Sequence, residues 1–127
     1  MIVRKSEREI EIMRNAGRIV ADALAMTREI AREGVSTEDL NTRLEEYVVQ
    51  KGGIPVFKGY RGYPKSICAS INEEIVHGIP DERKLRDGDI LSVDIGVEFN
   101  KYVADAAITV PIGVISEEAE SLLQVCE

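Results

Sequence analysis

Cysteine, positive charge and long apolar runs are all scarce in this sequence, and each scarcity excludes a class of protein. The two cysteines, Cys68 and Cys126, are too few for a disulfide scaffold. No apolar run approaches the roughly 20 residues of a membrane helix, and the charged N-terminus lacks the apolar core of an export signal. We therefore expect a cytoplasmic protein with reduced thiols and no membrane partner.

The charge balance is acidic, with a formal net charge of −7 over 127 residues. This balance disfavours a nucleic-acid partner, because a phosphate backbone attracts basic surfaces. One stretch, YRGYPKS (60–66), is basic and aromatic, but it is too short to form a binding patch. The length fits one domain or part of one, and the content of 44% hydrophobic and 31% charged residues is that of a globular protein.

Two amphipathic helices are predicted near the N-terminus. Ser6 to Glu9 fits a capping box, and apolar residues then recur at helical spacing as far as a left-handed cap at Gly34. A second helix begins near Ser36 and stops at Gly52-Gly53. A third helix opens at Ser116 and has less than two turns of apolar stripe. The first two helices need a surface to cover.

That surface is predicted to be a sheet formed from the extended segments 66–71, 74–77, 90–97 and 102–110. Side chains alternate between the two faces of a strand. In 90–97, one face is apolar, and the other carries Ser92, Asp94 and Gly96. In 102–110, Asp105 likewise shares a face with small residues. Each strand therefore offers an apolar face to the helices and a second face with a single aspartate.

If Asp94 and Asp105 lie close together, the repulsion between their negative charges must be compensated. A turn centred on Phe99-Asn100 would place Asp94 directly opposite Asp105, about 5 Å apart, where like charges destabilise a pair; a bulge could offset this register. A shared proton or a divalent cation could compensate them. A solvated hairpin face stays open as the alternative, although Gly96 and Ala107 leave room for a ligand.

Three segments resemble the type I methionine aminopeptidases: FKGYRGYPKSICASIN (57–72), NEEIVHGIP (72–80) and DGDILSVDIGVEFNKYVADAAITV (87–110). The resemblance covers essentially the whole chain. It implies an α+β, pita-bread (creatinase/aminopeptidase-like) fold of two pseudo-symmetric halves around a dinuclear metal site. It also implies removal of the initiator methionine from nascent polypeptides by a monomeric enzyme, with two divalent ions (Co, Mn, Fe or Zn) as cofactors and the ribosome as a further candidate partner.

The resemblance assigns roles to individual residues. Asp94 would be a metal ligand, Asp105 would bridge the two ions, and His77 would contact the substrate near its amine without binding metal. Taken alone, His77 also fits a hydrogen-bonded histidine at a strand end. Four residues match positions that line the methionine pocket, with ordinary packing as the alternative: Phe57, Tyr60, Tyr63 and Cys68.

The family's remaining metal ligands, one histidine and two glutamates, belong to its second half, whereas His77 is the only histidine of this chain. We therefore expect residues 1–127 to be the N-terminal half of the catalytic domain, with two helices packed on an antiparallel sheet and no catalytic proton shuttle of its own. Alone, it is expected to be inactive. Two alternatives remain: a non-catalytic pita-bread relative that binds peptides or proteins, and a proline-specific peptidase of the same fold.

Overall fold

The computed structural model describes residues 2–126, which form helices and one four-stranded antiparallel sheet. In chain order the elements are α1 (Glu7–Ile30), α2 (Thr37–Gln50), β1 (Ile54–Pro55), a 3-10 turn (Tyr60–Gly62), β2 (Ile67–Ile71), β3 (Ile90–Phe99), β4 (Tyr102–Pro111) and α3 (Glu117–Cys126).

Both long helices begin at capping boxes. The Ser6 hydroxyl accepts a bond from the backbone N–H of Glu9, and the Glu9 carboxylate accepts one from the Ser6 N–H at 2.7 Å. Ser36 and Asp39 repeat this arrangement at the start of α2. The predicted cap at Gly34 is wrong, because α1 already ends at Ile30. Gly34, with φ of 86°, serves the connection to α2 instead.

Strand β3 is the centre of the sheet. One edge of β3 pairs with β4 along its whole length, and the other pairs with β2 and then β1. The apolar faces of β2, β3 and β4 pack beneath α1 and α2, as the alternation predicts. Helix α3 contributes no buried residue. Within residues 2–126, every helix is too short or too polar to span a bilayer.

The β3–β4 turn corrects the predicted register. The two turn residues are Asn100 and Lys101, with φ of 49° and 71°, and two positive φ values are typical of a type I′ hairpin. The turn centre is therefore one residue later than expected, and Asp94 pairs with Ala107 while Asp105 pairs with Gly96. Since the shift moves each partner by two positions, both aspartates keep the same face.

The predicted strand over 74–77 is also wrong. These residues belong to an irregular loop, 72–83, in which His77 has φ of 59°. Ile75 and Val76 are 90% and 64% exposed, so their β-branched side chains find no core to pack on. At the edge of β2 that does not pair with β3, the Ala69 N–H donates a hydrogen bond to the Gly78 carbonyl at 2.8 Å. This backbone contact takes the place of the predicted strand.

Candidate functional site on the polar face of the sheet

The face of the sheet opposite α1 and α2 carries small and polar side chains. Its residues are brought together by the strand register rather than by sequence proximity. Cys68 on β2 pairs with Asp94 on β3, and Ser92 pairs with Thr109 on β4, where the two hydroxyl oxygens lie 2.8 Å apart. We call this surface the polar face; it comprises Cys68, Ser70, Ser92, Asp94, Gly96, Asp105, Ala107 and Thr109.

Asp94 and Asp105 are diagonal neighbours on the polar face, because Asp105 lies opposite Gly96, two residues from Asp94. Burial, and then the negative charge of Asp105, raise the pKa of Asp94 above its ordinary value. The Oδ1 atom of Asp94 is buried and has no hydrogen-bond partner. A buried acceptor without a partner is costly, so this atom is the one group of the polar face that most needs a ligand.

Gly96 has no side chain, which lets Phe57 and Val56 pack close to Asp105. A Cβ at position 96 would lie 2.7 Å from the Phe57 ring and from the Val56 side chain, and 3.3 Å from Asp105 Oδ2. Such distances are too short for ordinary contact, so any larger residue would push these groups apart. Phe57 therefore packs over Gly96 and limits the polar face next to Asp105.

Cys68 is held as a thiol. Burial raises its pKa, the charges of Asp94 and Asp105 raise it further, and a hydrogen bond with Tyr63 opposes them. The Tyr63 hydroxyl also lies 3.0 Å from the Ile67 carbonyl and 3.2 Å from that of Gly78. Burial is the first cause of the raised pKa of Tyr63 as well. Cys68 and Tyr63 are therefore both neutral and form a polarisable surface, and the Cys68 thiol is not activated as a nucleophile.

His77 is exposed and reaches the polar face from the loop. Its neighbour Gly78 lies against β2, since the Gly78 N–H donates to Ser70 Oγ at 3.0 Å. A Cβ on Gly78 would collide with the Ala69 carbonyl, so only glycine allows this approach. The charge of the imidazole acts on Asp94 and lowers its pKa, against the larger effects of burial and Asp105.

A cleft of about 630 Å³ joins several of the predicted site residues. Cys68, His77 and Asp94 line it together with apolar side chains from the loop and from α3. Among the described residues, the other predicted site residues do not line this cleft: Phe57, Tyr60, Tyr63 and Asp105. Tyr60 lies on the exposed 3-10 turn, 63% exposed, with the guanidinium of Arg61 at 5.4 Å from its ring centre.

The donor set for a metal ion is partial. Carboxylate oxygens suit hard divalent cations, and the buried, unpartnered Oδ1 of Asp94 fits a ligand role. Within residues 2–126, however, no group of three or more histidine, cysteine, aspartate or glutamate side chains is placed to hold an ion. The polar face thus provides two carboxylates for the coordination of a metal ion, and other donors would have to complete the coordination shell.

Sequence reasoning did not find the residues that fix the His77 loop. Ser70 binds Gly78 across eight positions, and Glu74 binds Arg83 across nine. No local pattern marks such partners, because each pair meets only through the tertiary fold. Gly78 is part of the HGIP motif of the sequence. The need for glycine at this position was not visible there, because it arises from the close approach of Gly78 to Ala69 on β2.

Comparison with known proteins identifies the family of the chain. Residues 11–127 match metallopeptidase family M24. Methionine aminopeptidase 1 of Bacillus subtilis is 49% identical over 127 residues, which are 100% of this chain and 51% of that protein. The methionine aminopeptidase of Clostridium acetobutylicum is 52% identical over 126 residues, 98% of this chain and 50% of that protein. The chain thus spans about half the length of these relatives.

Solved structures give the same fold. The methionine aminopeptidase of Rickettsia prowazekii superposes with a TM-score of 0.96 at 32% identity, covering 98% of this chain and 50% of that one. The Thermotoga maritima enzyme gives 0.94 at 40% identity, covering 98% and 51%. A Pyrococcus furiosus prolidase, at 0.79 and 21% identity over 95% of this chain and 34% of that one, shares the fold alone. The chain belongs to metallopeptidase family M24 and has the pita-bread fold of the methionine aminopeptidases.

Proposed function

We propose that residues 1–127 are the N-terminal half of a methionine aminopeptidase catalytic domain, and that the complete domain removes the initiator methionine from nascent proteins. The observation that carries this proposal is the pair Asp94 and Asp105, set on one face beside His77, in a chain 49% identical over its full length to Methionine aminopeptidase 1 of Bacillus subtilis. Carboxylates in this arrangement have little use in a purely structural hairpin.

Asp94 and Asp105 would hold divalent ions, with Asp105 between two of them. The unpartnered Oδ1 of Asp94 supports this role. Bound ions of this kind activate water and polarise the carbonyl of a scissile peptide bond. Oxygen donors accept Mn, Fe, Co or Zn, and the second half of the domain would add the remaining ligands and the proton shuttle.

His77 would form a hydrogen bond with the substrate near its amine and first peptide bond. Its exposure and its position on the cleft leave the imidazole free to meet a ligand. The methionine side chain would pack against soft and aromatic groups, which suit a thioether. The residues proposed for this pocket are Phe57, Tyr60, Tyr63 and Cys68.

The cellular setting follows from the same proposal. The substrate would be the N-terminal methionine of a nascent polypeptide, so the complete enzyme would act in the cytoplasm with access to the ribosome. We expect the complete enzyme to be a monomer. The net charge of −7 supports a peptide rather than a specific nucleic-acid partner.

A chimera tests this function. Residues 1–127 are joined to the remaining part of the Bacillus subtilis relative, and release of the first residue is measured from Met-Ala-Ser, Leu-Ala-Ser and Ala-Pro-Ser with Mn added. We expect metal-dependent release from Met-Ala-Ser far above the other two peptides. Preference for Ala-Pro-Ser would favour the proline-specific alternative, and a folded chimera without any release would contradict the proposal.

A further inference from the structure

The loop that carries His77 has neither regular secondary structure nor a buried apolar cluster of its own. Residues 72–83 contain no helix or strand, and Ile75, Val76 and Ile79 expose 90%, 64% and 49% of their surface. His77 itself adopts φ of 59°, a conformation that non-glycine residues rarely take without support from their surroundings. The bonds of Gly78 to β2 fix the middle of the loop, and the two flanking segments need interactions of their own to keep it over the polar face.

Arg83 joins the two ends of the loop. Its Nη1 atom lies 2.6 Å from Glu74 Oε1, and its Nε atom lies 2.9 Å from the Asp81 carboxylate. The second oxygen of Glu74 accepts a bond from the Ile71 N–H at 2.9 Å. The start of the loop is thereby tied to the end of β2 and, through one guanidinium, to residues nine positions later.

The far end of the loop is fixed to the first turn of α2. The Asp81 N–H donates to the hydroxyl of Thr37 at 2.9 Å, and the Asp81 carbonyl accepts from the Glu38 N–H at 2.9 Å. The Thr37 N–H donates to the Arg83 carbonyl at 3.2 Å, and Thr37 is fully buried. Arg83 therefore connects the start of α2, through Asp81, to Glu74 near the start of the loop. The loop is also held at Gly78 by β2, and at Asn72 by Asp89 and Ile90.

We propose that Arg83 is a positioning residue for His77: by bridging Glu74 and Asp81 it keeps the loop closed against β2 and aims the imidazole at the polar face. The inference rests on the proposed function only for what His77 does there. The fork of the guanidinium is essential to the arrangement, because a lysine ammonium is a point charge that can serve one of the two carboxylates well but not both.

Two amides and one side chain report loop closure in the chain as it stands. The Ala69 and Gly78 N–H groups are bonded only while the loop lies on β2, and His77, as the sole histidine, gives unambiguous imidazole resonances. Arg83→Gln should speed hydrogen exchange at both amides by about threefold to tenfold, the range expected when two partly exposed ion pairs are lost. The His77 Cε1–H resonance should shift and broaden.

Graded variants and a matched control separate positioning from general destabilisation. Arg83→Lys should restore part of the protection. Lys58→Gln, which removes a 2.7 Å ion pair with Glu45 of α2, should leave both amides and His77 unchanged. Exchange at the Val56 N–H, bonded to the Gly96 carbonyl at 3.1 Å, should stay constant throughout.

Unchanged exchange at Ala69 and Gly78 in Arg83→Gln would overturn the inference, and so would an equal increase at Val56, which would indicate global unfolding. If Arg83→Gln fails to fold, the comparison of native chain with Arg83→Lys carries the same test. No metal or peptide enters these measurements, so their failure is distinct from a failure of the aminopeptidase proposal.

Discussion

Replacing Asp94 with asparagine should stabilise the metal-free chain while weakening its response to metal. Asp94 is partly buried, its Oδ1 has no partner, and Asp105 lies diagonally across the β3–β4 pair. Asparagine has nearly the same shape but no charge, so the substitution removes the repulsion between the two carboxylates and the desolvation of one of them. A residue kept at a cost to stability is typical of a functional site.

The size of the effect follows from the geometry. The two carboxyl groups lie within hydrogen-bond reach of each other, and two unit charges about 4 Å apart repel by about 4 kcal/mol at an effective dielectric constant of about 20. Asp105 is exposed, so screening by solvent and salt reduces this to about 1 kcal/mol. For a chain of this size, that increase in the free energy of unfolding corresponds to about 3–5 °C in the melting temperature.

The assay is thermal unfolding by circular dichroism at pH 7, first with EDTA and then with millimolar MnCl2. Asp94→Asn should melt higher than the native chain in EDTA, and Mn should raise the melting temperature of the native chain more than that of the variant. Glu33→Gln, an exposed substitution in the connection after α1, controls for the loss of one negative charge. A lower or unchanged melting temperature for Asp94→Asn in EDTA would refute the repulsion argument.

The hairpin turn, the α1 cap and the proposed site allow further tests. Lys101→Gly should stabilise the chain by about 0.5–1 kcal/mol in urea unfolding, because glycine takes the left-handed turn conformation without strain; a lower midpoint would contradict this. Hydrogen bonds from Ser6 and then Tyr102 lower the pKa of Glu9 from 4.5 to about 2, so its contribution to stability is present above pH 4.5 and is lost as the pH falls toward 2. The native chain should therefore lose more stability than Glu9→Gln over that range of an acid titration, and equal losses would count against the cap. In the chimera, His77→Ala should retain metal but lose roughly 10²–10³-fold in turnover; a variant purified without metal would identify His77 as a ligand. Residues 1–127 alone should release no methionine with Mn or Co, and metal-dependent release would show that their donors suffice.

The side-chain alternation of β3 and β4 was enough to predict the shared face of Asp94 and Asp105. That inference does not depend on the turn, because moving the turn centre by one residue shifts each partner by two positions and preserves the face. The turn itself was not predictable, since a lysine at a positive φ carries none of the glycine signal that marks a type I′ hairpin. Local sequence therefore decided the face but not the register.

The loop 72–83 shows where sequence reasoning stops. Ile75 and Val76 have high β propensity, which favours a strand, but propensity does not reveal whether a core is available to bury them. The proximity of His77 to Asp94 likewise depends on Gly78 docking on β2 and on Arg83 closing the loop. Both contacts join residues that are distant in sequence, so only the tertiary structure could place the imidazole.

Metal content and methionine release, measured on the same preparations of the chimera, test most directly whether the two aspartates form half of a metallopeptidase site. The native chimera should bind Mn and release methionine from Met-Ala-Ser, and Asp94→Asn and Asp105→Asn should each lose metal and activity together. Full activity at limiting metal in either variant, or normal metal content in both, would contradict the assignment of the polar face as the metal-binding surface.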